Sequence, residues 1–224
     1  MEYTQVPRRL IENASLGSKR VLVYLAIHFA HWDGYDISEL VHACGYSATN
    51  QHANSVYGQI KEVVDWLLVN GYLDVDHDGA HLANQDDCSG FIYRYEYDLI
   101  FLSHNTHTIN CRSSIIADTL LVLSNIRCYM THAQGRPQFY SNMLCRISEH
   151  IGISVRRISR CVQVLEELGI IHSEELPRYK DGNGHWHSNV RIFVNRHGRL
   201  DAGNTYDWQK ETKRGIAMIL ANIR

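Results

Sequence analysis

Proline is almost missing from this sequence. Three prolines in 224 residues leave no Pro-rich linker to divide the chain. Long hydrophobic runs are missing too. Val21 to Ala30 and Thr119 to Ile126 fall well short of the about 20 apolar residues that a membrane-spanning helix needs. Met1 to Leu10 has no apolar core of a secretory leader, so a cytoplasmic chain is expected. The six cysteines, Cys44, Cys88, Cys111, Cys128, Cys145 and Cys161, contain no C-x-x-C pair. Several lie in apolar, helix-like segments, where free cysteine behaves as a small hydrophobe and a reducing compartment suffices. A zinc site built from distant ligands stays open, but no local spacing calls for one. Phosphate-loop, nucleophile-elbow and His-Glu metal-helix motifs are lacking. No enzyme activity, cofactor or metal is therefore expected.

What is present is ordinary in bulk and uneven in detail. A hydrophobic fraction of 45 % is ample for a core, and a charged fraction of 21 % argues against disorder. The net charge of −2 hides a division. Residues 1–105 hold six basic and fourteen acidic residues, net −8, and residues 106–224 hold sixteen and ten, net +6. Such asymmetry implies different partners, because a basic half attracts phosphates and an acidic half repels them.

A repeat organises the chain. Lys61 to Leu73 ends one helical pattern at Asn70-Gly71, and Ser159 to Ile171 ends another at Leu168-Gly169, with the two glycines 98 residues apart. At the same offset Val21-Leu-Val-Tyr-Leu25 aligns with Thr119-Leu-Leu-Val-Leu123. Between these anchors lie two short helical segments, Ile37 to Gly45 and Met143 to Gly152, each stopped by glycine. A hairpin should close each unit. In the first, Tyr72 to Val75 turns at Asp76-His-Asp-Gly79 and is expected to return over Phe91 to Tyr97. In the second, Ile170 to Glu174 turns at Asp181-Gly-Asn-Gly184 and returns over Asn189 to Val194.

This order of elements is that of a winged helix, a helix-turn-helix with a β-hairpin wing. An unrelated α+β domain with a similar local pattern is the alternative. The expected fold is α+β and mainly helical. Two such units stand in tandem, an acidic one over 1–105 and a basic one over 106–200, with a C-terminal helix over 201–224.

The second unit carries the chemistry. In Gly152 to Gly169, Ser154 is placed to cap a helix with its hydroxyl. Val155, Ile158, Cys161/Val162, Leu165 and Leu168 make the expected buried stripe. Arg156, Arg157, Arg160 and Gln163 occupy the other face in its N-terminal half, the end that enters the major groove in such motifs. Arginine pairs bidentately with guanine and glutamine with adenine. In the wing, Arg178, Lys180, His185, His187 and Arg191 flank a Gly-rich turn and are candidate phosphate contacts. An ordinary solvated basic face is the bland reading of all these residues. His185-Trp-His187 lacks apparent partner ligands for a metal.

The run from Ile147 to Ile171 resembles the helix-turn-helix of plasmid and phage replication initiators and of related winged-helix regulators. The likeness covers about 60 residues, and the first unit matches only in the order of its elements. The resemblance implies sequence-specific binding of double-stranded DNA by the second unit, with the first unit forming a dimer. A transcription regulator or a non-DNA interaction adaptor are the competing expectations.

The first unit departs from the pattern. Its segment Tyr46 to Asn54 is long and has no basic residue, and Lys61, Glu62 and Asp65 make a nearly neutral helix face. Val56, Ile60, Val63/Val64, Leu67 and Leu68 are its expected core stripe, with Trp66 for the core or a partner. A protein partner or second copy is expected here. Packing on the second unit, or neutral DNA contacts from Asn50, Gln51, His52 and Asn54, are the alternatives. Thr205 to Arg224 reads as a terminal helix with Trp208, Ile216, Ile219/Leu220 and Ile223 roughly on one side, either capping the core or joining a dimer.

Overall fold

The computed structural model describes residues 2–47, 55–83, 88–105, 114–130, 139–142, 144–180 and 190–194, together with 182, 184, 186 and 187. The expected C-terminal helix, the four polar residues Asn50, Gln51, His52 and Asn54, and His185 lie outside the described residues. Among the described residues the architecture is α+β, with helices predominating over small antiparallel sheets. No helix of the described chain is long and apolar enough to cross a membrane.

The first half begins with β1 (Tyr3–Pro7), α1 (Arg8–Glu12) and a 3-10 turn, followed by α2 (Arg20–Phe29), α3 (Ile37–Ala43) and α4 (Val56–Val69). Short polar side chains start α3 and α4. The Asp36 carboxylate accepts the Ser38 amide at 2.7 Å, and the Ser55 hydroxyl accepts the Gly58 amide at 3.2 Å. After α4 come β2 (Leu73–Asp76), β3 (Gly79–Leu82), β4 (Cys88–Tyr93) and α5 (Arg94–Asn105).

Here the structure corrects the sequence reading. The return strand of the first hairpin is β3, which pairs with β2 across the tight turn Asp76 to Gly79. Phe91 to Tyr97 divides instead. Its first part lies in β4, antiparallel to β1, and Arg94 opens α5. The aromatic alternation is overridden by Glu96, whose carboxylate accepts the Tyr93 amide at 3.1 Å and so closes the first turn of a helix.

The second half comprises α6 (Ser114–Cys128), β5 (Phe139–Asn142), α7 (Leu144–Ile151), α8 (Val155–Glu167), β6 (Ile171–Glu175), β7 (Tyr179–Lys180), β8 (Trp186–His187) and β9 (Val190–Val194). Three strands form one sheet in the order β5-β9-β6, and β7 and β8 extend the hairpin as a small ladder of their own. The hairpin over 170–194 thus returns where the alternation placed it.

One helix joins the halves. α6 packs against α2, α5 and β4 of the first half and against α7 and α8 of the second. Its residues from Ile116 to Arg127 are buried on every side, the polar Asp118, Thr119, Ser124, Asn125 and Arg127 among them. Gly90 in β4 lets that strand approach closely, because a Cβ there would sit 3.0 Å from the Ser124 carbonyl oxygen of α6. Two buried arginines fasten the same seam. Arg127 makes a two-pronged pair with Glu96 at 2.5 and 2.6 Å. Arg20 has no carboxylate partner among its contacts and donates instead to the carbonyl oxygens of Leu10, Ile11, Gly17 and, across the seam, Ile151. Cys44, Cys128, Cys145 and Cys161 form no disulfide, and Cys44 and Cys161 are buried.

Candidate nucleic-acid interface

α8 is held by its apolar side. Ile158, Cys161, Val162, Val164 and Leu165 are buried, and the helix packs on α6 and α7. Gly152 forms the turn between α7 and α8 at φ +75°, a left-handed conformation that L side chains rarely adopt, and a Cβ there would collide with Ala14 at 2.5 Å. Ile153 is buried just beyond it and fixes the angle at which α8 departs.

Two expectations at the start of α8 are corrected. Ser154 occupies the N-cap position in extended conformation, but its hydroxyl makes no capping bond. Val155 is 43 % exposed rather than part of the core stripe: it is the first residue of α8 and stands ahead of the buried run that begins at Ile158. In α4 Leu68 is likewise 42 % exposed, whereas Ile60, Val63, Val64 and Leu67 are buried as expected. Trp66 stacks on Tyr72 with ring centroids 5.4 Å apart.

The outer face of α8 carries Arg156, Arg157 and Gln163 exposed and Arg160 half-buried. Their situations differ. Arg156 makes no side-chain bond to any described residue, and the Arg160 guanidinium reaches Gln163 at 3.3 Å. Arg157 is engaged, donating from Nε and Nη2 to the two carboxylate oxygens of Asp118 at 2.8 and 2.6 Å. Asp118 is buried in α6, while the Arg157 side chain remains 49 % exposed. The pair therefore holds one arginine flat at the root of the helix and leaves its outer edge open. Glu166 is turned away, accepting the Ser173 amide at 3.0 Å.

Lys19 approaches the same corner from the first half. Its ammonium bonds Gln59 of α4 at 2.6 Å and lies over the Tyr46 ring. Burial lowers its pKa, Asp118 opposes that shift, and Arg157 adds to it. The beginnings of α4 and α8 thus converge on one cation-anion-cation cluster. Sequence reasoning missed Lys19, Arg20 and Asp118. The available signal was a charge inside or beside an apolar helix, and Arg20 and Asp118 stand at the repeat's own offset of 98.

The wing residues are spread. Arg178 and Lys180 are exposed. Arg191 lies against the sheet, its guanidinium 4.9 Å from the centre of the Phe139 ring. His187 belongs to β8, and its side chain is outside the described residues, as is all of His185. Among the described residues, Asp76, His77 and Asp78 alone bring three potential metal ligands together, exposed at the tip of the first hairpin and away from α8.

Compared with known proteins, the chain matches no family model, no curated protein and no solved structure.

Proposed function

We propose that this chain is a sequence-specific double-stranded DNA-binding protein built from two winged-helix units, the second of which reads the duplex through α8. The observation that carries the reading is the outer face of α8, where Arg156 and Gln163 are exposed and Arg160 is half-buried beside them. Helix, strand, two helices and hairpin follow one another in the second half in the order a winged helix requires, with a three-stranded sheet beside α8. A helix in the major groove can read guanine with arginine and adenine with glutamine, and the exposed Arg178 and Lys180 can grip phosphates without reading sequence. The likeness of 147–171 to plasmid and phage replication initiators makes tandem or inverted origin repeats the first targets, and a promoter-proximal site is the second. The acidic first unit supplies contacts to protein, as a homodimer or with another factor.

The test is selection of bound duplexes from random DNA by the full chain, followed by titration at several salt concentrations. Arg156→Ala and Arg160→Ala should each weaken binding by about 1–3 kcal/mol where the residue reads a base. Where it grips a phosphate, the salt slope should fall by about one unit instead. Binding that is indifferent to salt and to both substitutions would reject the reading.

A further inference from the structure

The first half contains two two-stranded sheets where the second has a three-stranded sheet and the small β7-β8 ladder. β1 pairs with β4 and β2 with β3, and among the described residues no hydrogen-bonded strand lies between β1 and β3. The ladders show which edges are open. The Arg94 amide donates to the Glu2 carbonyl oxygen at 3.0 Å, so Tyr3 opposite Tyr93 is a non-hydrogen-bonded pair and Thr4 and Val6 bond towards β4. The N–H and C=O groups of Tyr3 and Gln5 consequently point to the other edge of β1. In the second ladder the Ala83 amide donates to the Tyr72 carbonyl oxygen at 3.1 Å. By the same alternation, the backbone groups of Ala80 and Leu82 point away from β2.

Both edges border one cleft of about 800 Å³, and both strands rest on α2. The floor is apolar and aromatic, made by Tyr24, Ile27 and Trp32, all buried. Asp33 and Asp78 stand exposed at the lining, which contains no lysine or arginine, and the half around it carries a net charge of −8.

We propose that this cleft binds an extended peptide segment of a partner protein, alternately apolar and basic, as a strand added between β1 and β3. An added strand lies about 4.8 Å from each neighbour and turns successive side chains to opposite faces. One set meets the floor of Tyr24, Ile27 and Trp32, and the other faces solvent beside Asp33 and Asp78. Main-chain bonds to Tyr3, Gln5, Ala80 and Leu82 supply affinity, while the floor and the carboxylates supply selectivity. The strand closes two exposed sheet edges that otherwise invite unspecific pairing.

The experiment uses the full chain and the model peptide acetyl-(Lys-Val)₄-amide, with (Glu-Val)₄ and (Lys-Pro)₄ as controls, read by residue-resolved amide exchange. The Lys-Val peptide should slow exchange at Gln5 and Ala80 by about tenfold at saturation, and neither control should do so, since one reverses the charge and the other lacks alternate donors. Gln5→Pro removes a donor facing the cleft and leaves the bonds of Thr4 and Val6 to β4, so it should weaken binding by about fivefold. Asp78→Lys, which touches no ladder bond, should weaken it comparably and keeps the test decisive if Gln5→Pro disturbs the strand. The proposal is overturned if millimolar Lys-Val peptide protects neither amide, or if (Lys-Pro)₄ protects them equally. It is also overturned if protection appears with rising protein concentration alone, which would make a second copy the occupant.

Discussion

α4 and α8 hold corresponding places in the two halves, each following a short helix and ending in an Asn-Gly or Leu-Gly stop, yet they present opposite surfaces. α8 turns arginines outward. α4 shows a Lys61–Asp65 pair at 2.6 Å and, at its far end, exposed Leu68 and Val69. The helices that lie beneath them differ in the same way. At equivalent positions Arg20 stands at the start of α2 and Asp118 in α6, both buried. The buried cation binds main-chain carbonyls and fixes the halves together. The buried anion instead fixes a surface arginine. One scaffold position thus serves cohesion in the first half and presentation of charge in the second.

Removing the cohesive member should produce the largest effect. Arg20→Leu leaves the carbonyls of Ile11 and Ile151 without their donor in a buried seam and leaves that of Leu10 with the Asn13 amide alone, and buried acceptors that lose their partner are costly. We expect a loss of about 3 kcal/mol, seen as a fall of roughly 6–12 °C in Tm. A fall of only a degree or two would mean that water replaces the guanidinium easily and that the seam is less dry than its burial implies.

The presenting member is tested by two adjacent arginines. Arg157→Ala strips Asp118 of its partner and should cost about 2 kcal/mol of stability, less than a fully buried pair because the arginine end is half open to solvent. Arg156→Ala removes no side-chain bond to a described residue and should leave Tm unchanged while weakening duplex binding. Equal effects of the two substitutions on Tm would erase the distinction between them. A change of DNA affinity under Arg157→Ala is interpretable only beside the melting curve, since that residue also holds the root of α8.

Much of this comparison was legible in the sequence, and the rest was not for identifiable reasons. Glycine stops mark short-range backbone geometry, so α3, α4, α7 and α8 end close to where Gly45, Gly71, Gly152 and Gly169 placed them. Periodicity located Ile158, Cys161 and Leu165 in the core, but it could not show that Val155 precedes the contact with α6. The partition of Phe91 to Tyr97 depends on Glu96, which both closes a helix turn and pairs with Arg127 in sequence-distant α6. The Arg157–Asp118 pair likewise joins residues 39 positions apart, and local pattern carries no record of such contacts. The open arginine face was therefore readable as composition, while the sorting of its members into free and engaged required the fold.

A smaller and pH-dependent effect separates the cleft of the first half from the basic face of the second. His28 lines the cleft from α2, and burial holds its imidazole below the ordinary value, opposed by Glu2 and reinforced by His31 and Arg94. The unfolded chain therefore binds a proton near pH 6.5 that the folded chain resists. Its contribution to stability is present above that pH and is lost as pH falls through and below it. Urea midpoints of the wild type and of His28→Gln at pH 7.5 and 5.5 isolate this contribution from the other histidines. The variant should lose less stability on acidification than the wild type, because its amide does not titrate. Equal losses would show that the His28 imidazole is as well hydrated in the folded chain as in the unfolded one, and that the cleft is wetter at its α2 wall than the buried Tyr24 and Trp32 beside it indicate.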